Sequence, residues 1–333
     1  MKQEVDRPAA PREPGGWLGV YARGFAMGVA ELVPGVSGGT IAFITGIYLE
    51  LVRSIRGIGF RLLRLVGQGR VREAWREGNL GFLMVLGAGM GTAIVLLARI
   101  VGWLLENREL QVWGFFFGLI LASTWFVGRY AKPWTGARLA LVVVGAVAGA
   151  GVAFLTALAL PVTLVTLFLG GAIAICAWIL PGVSGSFIML LLGLYPAVVG
   201  AISEFNLVIL ATLAAGCATG LLLFSRFLTW LLERRYEATL ALLSGFMAGS
   251  LFKLWPWYVP VTVMDGKPMG LRILGPGTYE STTGEPAAVV SVVASMVLGV
   301  AVVALLEIVS RRGRGGQPAM SAPGQAEPSL GQG

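Results

Sequence analysis

Two stretches decide how this chain folds: VPGVSGGTIAFITGIY at Val33–Tyr48 and LPGVSGSFIMLLLGLY at Leu180–Tyr195. With Pro34 placed on Pro181, 8 of the 15 positions up to the two tyrosines are identical, and Pro, Gly, Ser and Tyr all stay in register. Chance similarity between apolar segments rarely achieves that. Each copy interrupts, near its middle, an apolar region too long for one span, 24–52 in the first case and 162–202 in the second. A proline stops a helix and glycines permit turns, so both regions read as re-entrant helical hairpins.

The surrounding composition is that of a membrane protein. Of 333 residues 56% are hydrophobic and only 13% charged, about half the roughly 25% charged residues of globular domains. Mean hydropathy is +0.80. The 48 glycines lie inside apolar runs without a triplet period, which excludes collagen and flexible linkers. Apolar runs of span length occur at 80–104, 111–128, 139–160, 207–230, 238–255 and 287–309. The expected fold is therefore an all-α polytopic membrane protein with six transmembrane helices and two re-entrant hairpins.

The net charge of +8 comes from arginines in short loops, where they fix orientation rather than bind nucleic acid. Arg53, Arg56, Arg61, Arg64, Arg70, Arg72 and Arg76 make 53–78 cytoplasmic. A first hairpin that enters from the cytoplasm then puts Arg129, Lys132 and Arg138 inside, lets the second hairpin dip in from the periplasm, and returns the chain inside at Arg311, Arg312 and Arg314. The loop 255–286 is expected to be a Pro/Gly-rich periplasmic connection. Both termini fall in the cytoplasm, with residues 1–16 and 311–333 as disordered tails around a membrane domain at 17–310. The N-terminus is polar for too long to be a signal peptide. The amphipathic stretch 55–75 reads equally well as a surface helix or as a solvated basic loop.

A second internal match aligns RIVGWLLENR at Arg99 with RFLTWLLERR at Arg226, identical at 6 of 10 positions. Repeat one then covers 24–128 and repeat two 162–255, with a linking helix at 139–160 and a final helix at 287–309. The odd linking span forces the copies into opposite orientations, a plan that recurs in transporters with a midplane site between broken helices.

The hairpin tips supply the candidate chemistry. Backbone that leaves a helix inside a bilayer is tolerated only in protein or against water. Ser37, Gly38, Gly39 and Thr40 would open one ascending helix, and Ser184, Gly185 and Ser186 the other. Free amides, hydroxyls and a positive helix end suit a phosphate or carboxylate. Tyr48 and Tyr195 are expected to pack at the interface or beside a ligand. Glu31 lies three residues before Pro34 at membrane depth, and its repeat counterpart is Trp178. It reads either as a proton-coupling carboxylate or as a partner of the hairpin backbone. Arg99 and Arg226, at equivalent positions near span ends, either anchor by snorkelling or meet an anion.

Histidine is absent and Cys176 and Cys217 are the only cysteines. His-type zinc sites, Ser-His-Asp triads and disulfide frameworks are thereby excluded, and neither metal nor cofactor is expected. Few titratable groups lie in the hairpins, so an enzyme is not expected either.

GFAMGVAELVPGVSGGTIAFITGIYLELVRSI and ICAWILPGVSGSFIMLLLGLYPAVVGAI together resemble the polyprenyl-phosphate translocase family, formerly domain of unknown function 368, from about Gly24 to Val309. The resemblance implies a bacterial inner-membrane protein that returns undecaprenyl phosphate from the outer to the inner leaflet for cell-wall synthesis. The family usually carries Asp where Glu31 stands. An ion-coupled transporter of a small soluble anion is the alternative that the residues alone leave open.

Overall fold

The computed structural model describes residues 16–33, 36–155, 160–264 and 267–313. Residues 1–15 of the expected tail 1–16 and 314–333 of the expected tail 311–333 lie outside the described residues, as do the break residues Pro34 and Gly35, positions 156–159 at the end of the expected linking span, and Asp265 and Gly266, while 311–313 belong to α15. The first hairpin region is α1 (Gly16–Glu31), α2 (Gly38–Ile44) and α3 (Tyr48–Gly57), followed by α4 (Phe60–Gly67) and α5 (Val71–Glu77). Then come α6 (Leu80–Asn107), α7 (Glu109–Gly128) and α8 (Gly136–Phe154). The second hairpin region is α9 (Leu164–Ile179), α10 (Gly185–Leu191) and α11 (Tyr195–Ser203), followed by α12 (Leu207–Arg234) and α13 (Tyr236–Ser250). The chain continues through β1 (Tyr258–Met264), β2 (Lys267–Ile273) and α14 (Pro276–Thr283) to α15 (Val289–Gly313).

Among the described residues, α6, α7, α8, α12 and α15 are long and apolar enough to cross a membrane, making five spans, or up to seven if each bent pair counts as one. The chain is a predominantly helical polytopic membrane protein. The sixth expected span, 238–255, differs. Its helix α13 has only 15 residues, about 22 Å at 1.5 Å per residue, and ends in a 3-10 turn at Leu251–Leu254. Ten of those residues are buried against neighbouring helices, so α13 does not need the apolar length that a lipid-facing helix does.

The hairpins are short and sharply bent. Each ascending hairpin arm stops after seven residues, and the chain turns by 120° between α2 and α3 and by 109° between α10 and α11. The turns use Gly46 at φ 78° and Gly193 at φ 73°, the left-handed region where a side chain is strained. That explains why the glycine before Ile47-Tyr48 recurs before Leu194-Tyr195. The chain is mostly helical, as expected, and the 255–286 connection adds an antiparallel β1–β2 pair and the short helix α14. The sequence signal of the strand pair was Asp265-Gly266 between two β-prone runs.

Four close helix pairs build the bundle, and in each the partners run in the same direction. Gly24 and Gly28 of α1 meet Leu86 and Met90 of α6, and Gly216 and Gly220 of α12 meet Phe168 and Ala172 of α9. Gly114 and Gly118 of α7 meet Val292 and Met296 of α15, and Gly145 and Gly149 of α8 meet Leu242 and Phe246 of α13. Glycines four apart remove side chains from one stripe, so backbones touch, and dispersion replaces the hydrophobic drive that lipid cannot supply. The registers also fix hairpin depth. Glu31 comes three residues after Gly28, beside the middle of the 28-residue α6, and Cys176 near the end of α9 touches the Gly220 carbonyl at the middle of α12.

Polar contacts gather at the helix ends. Glu233 of α12 pairs with Arg53 and Arg56 of α3, while Asn79 before α6 donates to Glu50 and Ser54. Arg138 pairs with Glu237, and Arg129 with Glu307. At another set of ends, Glu109 accepts from Trp113 and Tyr258, and Gln111 donates to Ser291. Each contact joins segments that the charge layout assigns to one face. The basic stretch forms the short helices α4 and α5, held by Arg61–Glu77 and by packing of Leu62, Leu65 and Ala74.

Candidate functional site where the two hairpin tips meet

The tips meet each other, and the first tip is satisfied almost entirely from within the protein. Ser37, fully buried, accepts a hydrogen bond from the Gly39 amide, capping α2, and donates its own proton to the Trp178 carbonyl at 2.8 Å. The Gly182 amide donates to Thr40 Oγ1 at 3.0 Å, and the Tyr48 hydroxyl donates to the Ile179 carbonyl at 3.1 Å. These three bonds tie α2 and α3 to the backbone just where the second hairpin leaves its helix. Unwinding α9 frees the backbone groups that the first hairpin's hydroxyls then pair, as a low-dielectric interior requires.

Glu31 fills the place expected for an external anion. Its Oε1 accepts from the Gly38 amide at 2.6 Å, at the start of α2, and the Trp178 side chain lies beside the carboxylate. Gly38 has no room for a side chain there, because a Cβ would lie 2.8 Å from that oxygen. The amides of Gly38 and Gly39 are therefore paired, not bare as the sequence suggested. The reason is local: a carboxylate seven residues upstream folds back across the break.

The second tip is different. Phe187 stands where the first copy has Thr40, and Ser184 does not cap α10. Instead Ser184 and Ser186 hydrogen bond to each other at 2.8 Å, with Ser184 buried and Ser186 exposed. Gly182, at φ 93°, presses against Ser250 at the end of α13, and Gly185 packs on Ala174. A small cavity opens here between α8, α13 and the tip, bounded by Gly149, Gly182, Ser184, Phe187, Ser250 and Lys253.

Lys253 was missed in the sequence. Its ammonium is buried, has no hydrogen-bond partner among the described residues, and lies over the Phe187 ring. Its place at the end of the expected 238–255 span carries no signal of a site, and it is the 3-10 turn Leu251–Leu254 after α13 that turns its ammonium inward.

The structure brings together Glu31, Ser37–Thr40, Trp178 and Gly182, sets Gly185 against Trp178 with Ser184 and Ser186 beside it, and does not bring Arg99 and Arg226 to them. Both arginines are exposed, and Arg226 reaches Gly59 between α3 and α4. Tyr48 is a buried interface residue whose ring packs at a tilt against Phe43. No group of three or more metal-ligating side chains occurs among the described residues.

Three comparisons bear on this arrangement. A family profile described as undecaprenyl phosphate translocase-like matches residues 27–269. A polyprenyl-phosphate transporter of Vibrio cholerae serotype O1 is 43% identical over 296 residues, covering 87% of this chain and 96% of the relative. A polyprenyl-phosphate transporter of Staphylococcus aureus is 31% identical over 279 residues, covering 74% of this chain and 92% of the relative. No solved structure gives a significant match.

Proposed function

The chain belongs to the undecaprenyl phosphate translocase-like family, and from that premise we propose that it carries undecaprenyl phosphate across the bacterial inner membrane. The direction is from outer to inner leaflet, supplying the lipid carrier of cell-wall synthesis. The observation that carries this reading is the 43% identity to a polyprenyl-phosphate transporter over nearly its whole length. The transport reading makes the protein a carrier and not an enzyme, with the polyprenyl tail left in lipid while the phosphate crosses between the tips.

The proposed mechanism rests on an inverted repeat. Supporting it, α6 and α12 have 28 residues each and α2 and α10 seven each, and α1 runs along α6 as α9 runs along α12. The opposite sense of the two halves is supported by Glu233, near the end of α12, pairing with α3, which also holds Asn79 at the start of α6. Alternating access then follows from rocking one half against the other about the tips. The Ser37–Trp178, Thr40–Gly182 and Tyr48–Ile179 bonds act as the latch that rocking rearranges.

In this scheme the headgroup is received by the hydroxyls and amides of Ser37 to Thr40 and of Ser184 to Ser186. Glu31 must release the Gly38 amide when the phosphate arrives, and taking up a proton would weaken its hold, which couples passage to protons. Arg99 and Arg226, exposed on α6 and α12, would meet the phosphate at opposite leaflets before it reaches the tips. In this scheme the membrane domain is 17–310 and both termini are cytoplasmic.

The test is leaflet-resolved movement of undecaprenyl phosphate in proteoliposomes containing only this protein, with and without an imposed pH difference. Movement above that of empty vesicles is expected. Transport of free phosphate or small carboxylates with no movement of the lipid would overturn the reading in favour of a soluble-anion carrier.

A further inference from the structure

We propose that Lys253 is the phosphate-binding cation of the second hairpin, acting with Ser184 and Ser186 on a phosphomonoester headgroup. The proposal deepens the translocase reading and rests on it. The Lys253 ammonium is buried without an acceptor among the described residues and faces the Phe187 ring, and its cavity is shared with Ser184, Ser250 and Gly182. Burying an ammonium with no anion is expensive, and a ring face offsets it only in part. An apolar side chain of the same length would fill that space without the cost. A cation held there is put to use when a negative group arrives.

The rest of the cavity suits a phosphate on a lipid. Ser184 and Ser186 satisfy each other, 2.8 Å apart, so the pair can turn outward to an incoming oxygen without leaving a new unpaired hydroxyl. The space holds about 10 Å³, room for roughly one water. A phosphate therefore enters only when the Lys253–Phe187 contact parts, and Ser186, being exposed, marks the side from which it comes. One wall of the cavity is α8, through Gly149, Val152 and Ala153, and elsewhere on this helix Val143, Val144 and Val147 are exposed apolar residues. A headgroup at Lys253 thus lies one helix away from an apolar outer face along which its tail can remain.

The two halves are unlike in charge. Under the 127-residue offset of the second sequence match, Lys253 corresponds to Phe126, just as Glu31 corresponds to Trp178 under the offset of the first. The acid stands on one side of the tip interface and the base on the other. Glu31 closes the first tip to anions while Lys253 opens the second to them.

The experiment measures binding and thermal shift of the purified full chain with farnesyl phosphate, farnesol and inorganic phosphate, for wild type, Lys253→Met, Lys253→Gln, Lys253→Arg and Ser184→Ala. Wild type is expected to bind farnesyl phosphate and not farnesol. Lys253→Met should keep or raise the melting temperature without ligand, yet bind farnesyl phosphate at least tenfold more weakly, with Lys253→Arg retaining most of the affinity. A purely structural lysine would move the first readout and not the second. Should Lys253→Met fail to fold, Lys253→Gln and Ser184→Ala carry the same comparison. Wild-type affinity in folded Lys253→Met or Lys253→Gln overturns the proposal. If wild type responds to inorganic phosphate but not to farnesyl phosphate, and Lys253→Met loses that response, the anion site stands and the lipid reading falls. No response of wild type to any phosphate overturns both.

Discussion

Glu31 and Trp178 occupy the same position in the two copies of the hairpin motif, and in the folded protein they stand beside each other, with Ser37 of the Glu31 tip donating to the Trp178 carbonyl. The Glu31 carboxylate accepts from the Gly38 amide. One residue thus closes its own tip and stands against the other, at the point where the sequence symmetry breaks.

Replacing Glu31 separates its structural part from its charge. Glu31→Gln keeps an oxygen for Gly38 and should stay within about 1 kcal/mol of wild type, whereas Glu31→Ala strands a buried amide and costs about 1–3 kcal/mol. Unfolding in detergent measures this. If coupling runs through the carboxylate, vesicle transport by Glu31→Gln should lose its response to a pH difference, and an unaltered response removes Glu31 from coupling.

The latch makes a second prediction. Ser37→Ala removes the cap of Gly39 and the bond to Trp178, and Thr40→Val leaves the Gly182 amide unpaired, each costing about 1–3 kcal/mol. Because both bonds hold one interface, the double variant should depart from additivity by about 0.5 kcal/mol or more. A double-mutant cycle decides; strict additivity would mean that the two contacts open independently.

Close helix contact is tested by glycines that differ only in their neighbours. A Cβ at Gly118 would run into the Met296 backbone, and one at Gly245 into that of Val142, while Gly87 has open space around it. Gly118→Leu and Gly245→Leu should each destabilise by about 3 kcal/mol or more, and Gly87→Leu by under about 1 kcal/mol. Melting temperatures of the three variants should fall into those two groups.

Orientation is open to labelling. With Cys176 and Cys217 replaced by alanine, a membrane-impermeant maleimide added to intact cells should react with Glu285→Cys and leave Gln68→Cys untouched until the membrane is permeabilised. The reverse pattern would invert the whole layout, and labelling of both from outside would remove the opposed orientation of the halves.

Much of this was readable from residue order. The hairpin breaks, their pairing and five of the six spans follow from apolar length and from where Pro and Gly interrupt it, because lipid imposes the same backbone requirement on every segment. The recurrent Gly46 and Gly193 mark turns whose φ values only glycine adopts easily. The β1–β2 pair was missed although Asp265-Gly266 announces it, since apolar length dominates a reading of the whole chain and short strands in a loop leave little trace.

Which donor meets which acceptor was not readable in that way. Ser37 looked free for a ligand, but folding gives it to Trp178, 141 residues away; Arg99 and Arg226 looked equivalent to site residues, but helix register leaves both on the outside. Nothing in the local sequence sets Lys253 apart, yet its ammonium is buried. Local pattern sets where a chain must break inside a membrane, because the penalty for unpaired backbone acts on each segment separately. Partners for the freed groups depend on distant segments arriving together, so only the assembled bundle settles them.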